Sequence, residues 1–241
     1  MSSAHWAHAE IRRLRRLDAE RVAGAFGEVA FVGSSVFREW REMRDFERDW
    51  RALMRRRGVR VMNRAFGGSE TRDLLTYADD LTRRETRAVV YYCGSNDVSN
   101  GARAREVRDN FVAFVESRRR VSGGKLGVVY VSVIDSPQKR AWGLSDVVRD
   151  VNALCEQWCA ENGPSCAYVD LSRVFEDPVT GALAPLFRED GTHLVPSAYD
   201  GVIEAIEPKL DDVLREVLES GGDGEGDGED DDAFLPPSMR R

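Results

Sequence analysis

Short runs of consecutive apolar residues alternate along the chain with longer stretches whose apolar residues recur every three or four positions. The runs are 28–33 (EVAFVG), 59–62 (VRVM), 87–93 (RAVVYYC), 126–134 (LGVVYVSVI) and 166–171 (CAYVDL). Each predicts a strand, and the near-continuous apolarity of 87–93 is that of a strand covered on both faces. After the first run, Val36, Trp40, Met43, Trp50 and Met54 fall on one helix face, with Arg, Glu and Asp elsewhere. Helices are also predicted over 70–83, 102–121, 144–161 and 197–219. Five strands separated by helices predict an α/β fold, a parallel sheet with helices on both faces.

Charge divides the chain. The formal net charge of −7 over 241 residues is carried by 221–232 (GGDGEGDGEDDD), which holds seven acids and no base. Residues 1–220 are close to neutral, with no basic excess for nucleic acid. The expected organisation is an N-terminal helical extension over 1–25, a single domain over 26–219 and a disordered acidic tail over 220–241. The tail has too little apolar surface to offset the entropy of ordering. No run approaches the roughly 20 apolar residues of a membrane helix. The Arg-rich N-terminus lacks an apolar signal core, and Glu10, Asp18 and Glu20 count against a transit peptide. Cys93, Cys155, Cys159 and Cys166 are scattered, so a reduced, cytoplasmic state is expected, and Cys155 and Cys159 read as small core residues rather than metal ligands. Neither a metal nor a cofactor is expected, and no phosphate-binding fingerprint precedes any helix.

In open parallel sheets, ligands bind beyond the carboxyl ends of the strands. Four polar or Gly-rich clusters fall on that rim: Gly33-Ser34-Ser35, Asn63 to Ser69, Gly94-Ser95-Asn96-Asp97 and Asp190-Gly191-Thr192-His193. Ser35 stands where a strand passes into a helix, a place that suits a nucleophile and, more often for a serine taken alone, a helix cap. His5 and His8 lie outside the sheet pattern, which leaves His193 as the one imidazole at the rim. Asp190, three residues earlier, is spaced to hold its ring; capping the next helix accounts for the aspartate but not for the histidine. Gly68 and Asn96 suit donors to a developing oxyanion, or ordinary turns. Asp135 and Ser136 follow the fourth strand and are expected, with Ser34, to border the substrate.

The blocks FVGSSVFREW, NRAFGGSE, YYCGSNDV and DGTHLVPSAY resemble, in order, the four signature blocks of the SGNH hydrolases, also called GDSL-type lipases and esterases. The resemblance implies a flavodoxin-like three-layer α/β/α sandwich and metal-free serine esterase chemistry. Block by block it implies Ser35 as nucleophile, Asp190 and His193 as acid and base, and an oxyanion hole of Ser35, Gly68 and Asn96. The family's first block has Asp before the nucleophile, where this chain has Ser34. The expected partner is a small-molecule ester with a short acyl or O-acetyl group. The competing readings are a thioesterase or lysophospholipase of the same family, and an inactive binding or scaffold protein on the same fold.

Overall fold

The computed structural model describes residues 3–19 and 27–219, with side chains in the first helix from Ala7 onward. The 25/26 boundary and the acidic tail over 220–241 lie outside the described residues.

Five strands form one sheet: β1 (Gly27–Gly33), β2 (Val59–Asn63), β3 (Thr86–Tyr92), β4 (Gly127–Val131) and β5 (Cys166–Val169). Their order is β2-β1-β3-β4-β5, and every pair is parallel. Val29 pairs with Val61 on one side and Ala88 on the other, which centres β1 in the register. Alternate side chains feed two separate cores, as a strand's period of two requires. Phe31, Val90 and Val129 enter one core, under the helices that follow β1 and under Ala198–Glu219. Val32, Tyr91 and Tyr130 enter the other, under Ala104–Val121 and Ser145–Glu161. The architecture is the three-layer sandwich expected, and its strand order reverses at β1 and β3, where such sheets open a crevice.

The stretch after β1 departs from a single helix face. It breaks into Ser35–Met43, Phe46–Asp49 and Arg51–Arg57. Arg44 is extended, and the Asp45 side chain starts the next turn by accepting from the Arg48 N–H at 3.0 Å. Asp49 fastens the break, accepting from Trp40 Nε1 at 2.7 Å and from the Arg44 guanidinium. Val36, Trp40, Trp50 and Met54 still reach one core. A turn that returns the chain to the same core preserves the apolar spacing. The 70–83 helix divides similarly, at Tyr77, into Thr71–Thr76 and Ala78–Leu81.

The helix Ser3–Ala19 lies against the body. Ala7, Ile11 and Leu14 are buried in the second core. Asp18 pairs at 2.9 Å with Arg64, a guanidinium only 1% exposed that also meets Glu28 at 3.0 Å. A buried charge is tolerable only with such partners. Cys155 and Cys159 occupy this core too, and burial pushes the Cys155 thiol up to about 12. Among the described residues no helix is long and apolar enough to cross a membrane.

Candidate active site

The rim is built from the strand ends inward. At the end of β1, Gly33 has φ +154°, and a Cβ there would lie 2.1 Å from the Tyr92 carbonyl oxygen. Only glycine allows β1 and β3 to approach so closely at this point. The Gly33 carbonyl then accepts from Phe66 N–H and Ser69 Oγ, both at 3.0 Å, which ties the loop after β2 to the start of the helix Ser35–Met43. Ser35 is the first residue of that helix, where backbone N–H groups lack intrahelical partners.

Across the crevice, residues 186–195 fold back on themselves. Arg188 N–H donates to the His193 carbonyl at 2.7 Å, and Val195 N–H to Leu186 at 3.0 Å. Asp190 Oδ1 accepts from the Thr192 and His193 N–H groups, each at 2.9 Å. Its other oxygen lies 2.8 Å from His193 Nδ1, which sets the ring so that Nε2 stands 3.0 Å from Ser35 Oγ. Partial burial alone pushes the Asp190 carboxyl up, but the hydrogen bonds from His193 and Thr192 outweigh it and hold it at about 2. With that carboxylate on Nδ1, Nε2 is the nitrogen free to take a proton from the hydroxyl.

Gly68 and Asn96 line the same cavity of about 550 Å³ as Ser35, Asp190 and His193. Gly68 has φ +73°, a conformation that favours glycine, and the space around its missing Cβ is open. Asn96 Nδ2 donates one hydrogen to the Ser69 carbonyl at 2.9 Å, and an amide nitrogen carries a second. Buried Asp97, next in the chain, accepts from the Thr71 N–H and hydroxyl and so locks the loops after β2 and β3 together.

Three residues expected to border the substrate stand outside these walls. Ser34 is buried, its N–H spent on the Tyr92 carbonyl at 3.2 Å. Ser136 is buried too, its hydroxyl accepting from the Lys139 N–H at the start of Pro137–Ala141. Asp135 turns toward a second cavity, about 810 Å³, beyond β4 and β5, where it pairs with Arg140. That cavity is the larger, but it holds no serine–histidine pair. The walls that sequence reasoning missed are Glu10, Arg38, Glu39 and Gln138. Arg38 and Glu39 were within reach, being three and four residues after Ser35 on its helix. Glu10 was not, since it arrives from a separate helix. Gln138 comes with the docking of its N–H on the Gly191 carbonyl at 2.9 Å.

Solved structures share this architecture at low identity. A GDSL-like lipase from Bacteroides thetaiotaomicron is 16% identical, with a TM-score of 0.69 over 87% of this chain and 98% of its own. A carbohydrate esterase family 3 protein from Talaromyces cellulolyticus is 15% identical, with a TM-score of 0.60 over 79% of this chain and 99% of its own. A variant of an acetyl-xylooligosaccharide esterase from Geobacillus Stearmophilus is 14% identical, with a TM-score of 0.60 over 78% and 95%. No curated protein sequence is matched by the chain. The model of the GDSL-like Lipase/Acylhydrolase family matches residues 31–200, a stretch that runs from the middle of β1 past His193. The chain therefore belongs to the GDSL-like lipase/acylhydrolase family, the SGNH hydrolases, whose members act on esters.

Proposed function

We propose that the chain cleaves carboxylic esters of short acyl groups through an acyl-enzyme on Ser35. The observation that carries this reading is the Ser35–His193–Asp190 relay, with 3.0 Å and 2.8 Å between successive partners. His193 takes the Ser35 proton as Oγ attacks the acyl carbon. The oxyanion accepts from the Ser35 and Gly68 N–H groups and from Asn96 Nδ2. His193 returns the proton to the departing alcohol, then removes one from the water that frees the acyl group. Each step uses groups of the chain itself.

The cavity walls support a small, polar substrate. Beside the glycines they consist of charged or polar side chains, Glu10, Arg38, Glu39, Asn96, Gln138 and Thr192 among them. A long acyl chain gains little from such walls, because burial of apolar area is what favours its binding. A polyhydroxyl alcohol finds partners there, which favours O-acetyl groups on sugars, in keeping with the two structural relatives named for carbohydrate esters. The test is stoichiometric labelling by a fluorophosphonate, followed by turnover of aryl acetate, aryl octanoate and acetylated xylooligosaccharides. Acetate is expected to exceed octanoate by about tenfold or more in kcat/KM. Labelling away from Ser35 would overturn the mechanism; octanoate turning over faster would overturn the acyl preference.

A further inference from the structure

Glu39 follows Ser35 by four residues, so both side chains leave the same face of the helix Ser35–Met43. Its side chain is only 10% exposed. Burying a carboxylate is unfavourable unless it is paired. Oε1 accepts from Arg38 Nη2 and Oε2 from Arg188 Nη1, each at 3.0 Å. Oε1 also lies 3.6 Å from His193 Nε2, the nitrogen that faces the Ser35 hydroxyl. His193 thus stands between two carboxylates, Asp190 on one ring nitrogen and Glu39 beside the other. The mechanism above assigns Glu39 nothing to do.

We propose that Glu39 is a positioning residue for the base: it ties down the Arg38 and Arg188 guanidiniums and stabilises the imidazolium formed when Ser35 loses its proton. This inference rests on the Ser35–His193 reading. In the proton transfer, the Oγ–H bond of Ser35 breaks and an Nε2–H bond forms, turning a neutral ring into a cation. Later that N–H bond breaks as the proton passes to the oxygen of the departing alcohol. Glu39 neither gains nor loses a proton, because both its oxygens are held by arginines. Its effect is on the charge that the ring bears. The charged groups facing the ring are Asp190 from its own loop, Arg38 and Glu39 from the Ser35 helix, Arg188 behind Glu39, and Glu10 from the first helix across the cavity. Remove the Glu39 charge, and Arg188 loses its carboxylate while Arg38 keeps only Glu42, beside a cation that has to form.

Glu39→Gln keeps the shape and removes the charge. Its kcat on an aryl acetate and its rate of fluorophosphonate labelling are expected to fall about tenfold, with KM within about twofold of wild type. The acid limb of the kcat/KM profile moves to lower pH by about half a unit or more, because losing a neighbouring negative charge disfavours the protonated ring. A merely structural role lowers rate and thermal midpoint but leaves the limb in place. Glu39→Asp restores part of the rate. Glu42→Gln removes the other carboxylate on Arg38, 2.8 Å away and not among the walls of the cavity, and changes neither rate nor limb. Should Glu39→Gln fail to fold, Arg188→Gln carries the test: it removes one half-exposed cation from Glu39, and the limb is expected to move to higher pH. An unmoved limb in Glu39→Gln, or in Arg188→Gln where Glu39→Gln does not fold, overturns the proposal. Wild-type labelling and turnover by Ser35→Ala would instead overturn the hydrolase mechanism on which it stands.

Discussion

Ser35 and His193 are 158 positions apart in the chain, yet the hydroxyl oxygen of one lies 3.0 Å from Nε2 of the other. Ser35→Ala and His193→Ala are each expected to lower kcat on an aryl acetate by about 10⁴-fold or more, with far-ultraviolet circular dichroism unchanged. The double variant should be scarcely worse than either single one, because the two groups act as a unit. Additive losses in the double variant would mean that they work separately.

Asn96→Ala removes one oxyanion donor and is expected to cost about 10²- to 10³-fold in kcat with little change in KM. Since Asn96 Nδ2 also bonds the Ser69 carbonyl, the thermal midpoint falls slightly as well. A rise in KM at constant kcat would show that the amide binds the ground state instead.

Asp190 gives the protein a defined acid response. Its carboxyl is held at about 2 in the fold, below the ordinary carboxylate value, so its contribution to stability is complete above about pH 4. That contribution is lost as pH falls from about 4 through 2. Asp190→Asn removes this part of the pH dependence, which urea unfolding at pH 2.5, 4 and 7 measures. At pH 7 the variant should also lose activity by about 10⁴-fold, as the ring loses the partner that fixes its tautomer. Equal urea midpoint differences at all three pH values would contradict the assignment.

Gly33→Ala sets a methyl group 2.1 Å from the Tyr92 carbonyl oxygen, where β1 and β3 end side by side. The Tyr92 backbone cannot swing aside as a side chain could, and a loss of about 3 kcal/mol or more is expected in urea unfolding. A variant within about 0.5 kcal/mol of wild type would mean that β1 and β3 separate more easily than their register implies.

The alternation of apolar runs and amphipathic stretches made the sheet legible, because strands buried on both faces leave a signal that needs no knowledge of their neighbours. Ser35, Gly68, Asn96, Asp190 and His193 were legible for another reason: each follows a predicted strand or ends a short turn, and the parallel sheet brings such places to one rim. Asp135 and Ser136 satisfied the same rule and still point elsewhere, since Asp135 is drawn to Arg140 and Ser145 Oγ, and Ser136 to the start of its own helix. The rule fixes the rim, not the direction of a side chain on it. The break at Arg44 was hidden because Trp40, in the first of the three helices, and Trp50, at the cap between the other two, still enter one core, their rings tilted with centroids 5.7 Å apart. Glu10 was hidden because nothing local in the first helix tells where its polar face will rest.

The first helix reaches the crevice through Glu10, which bonds Arg41 of the Ser35 helix at 2.8 Å, and it reaches the sheet through Asp18 and Arg64. Removing the first helix, Ser3–Ala19, would therefore be no neutral trimming. It would strip one side from the reaction chamber, wet the patch now sealed by Ile11 and Leu14, and deprive Arg64 of one of its two carboxylates. A shortened version that proved sluggish or insoluble would be reporting on the missing wall, not on the chemistry of the serine.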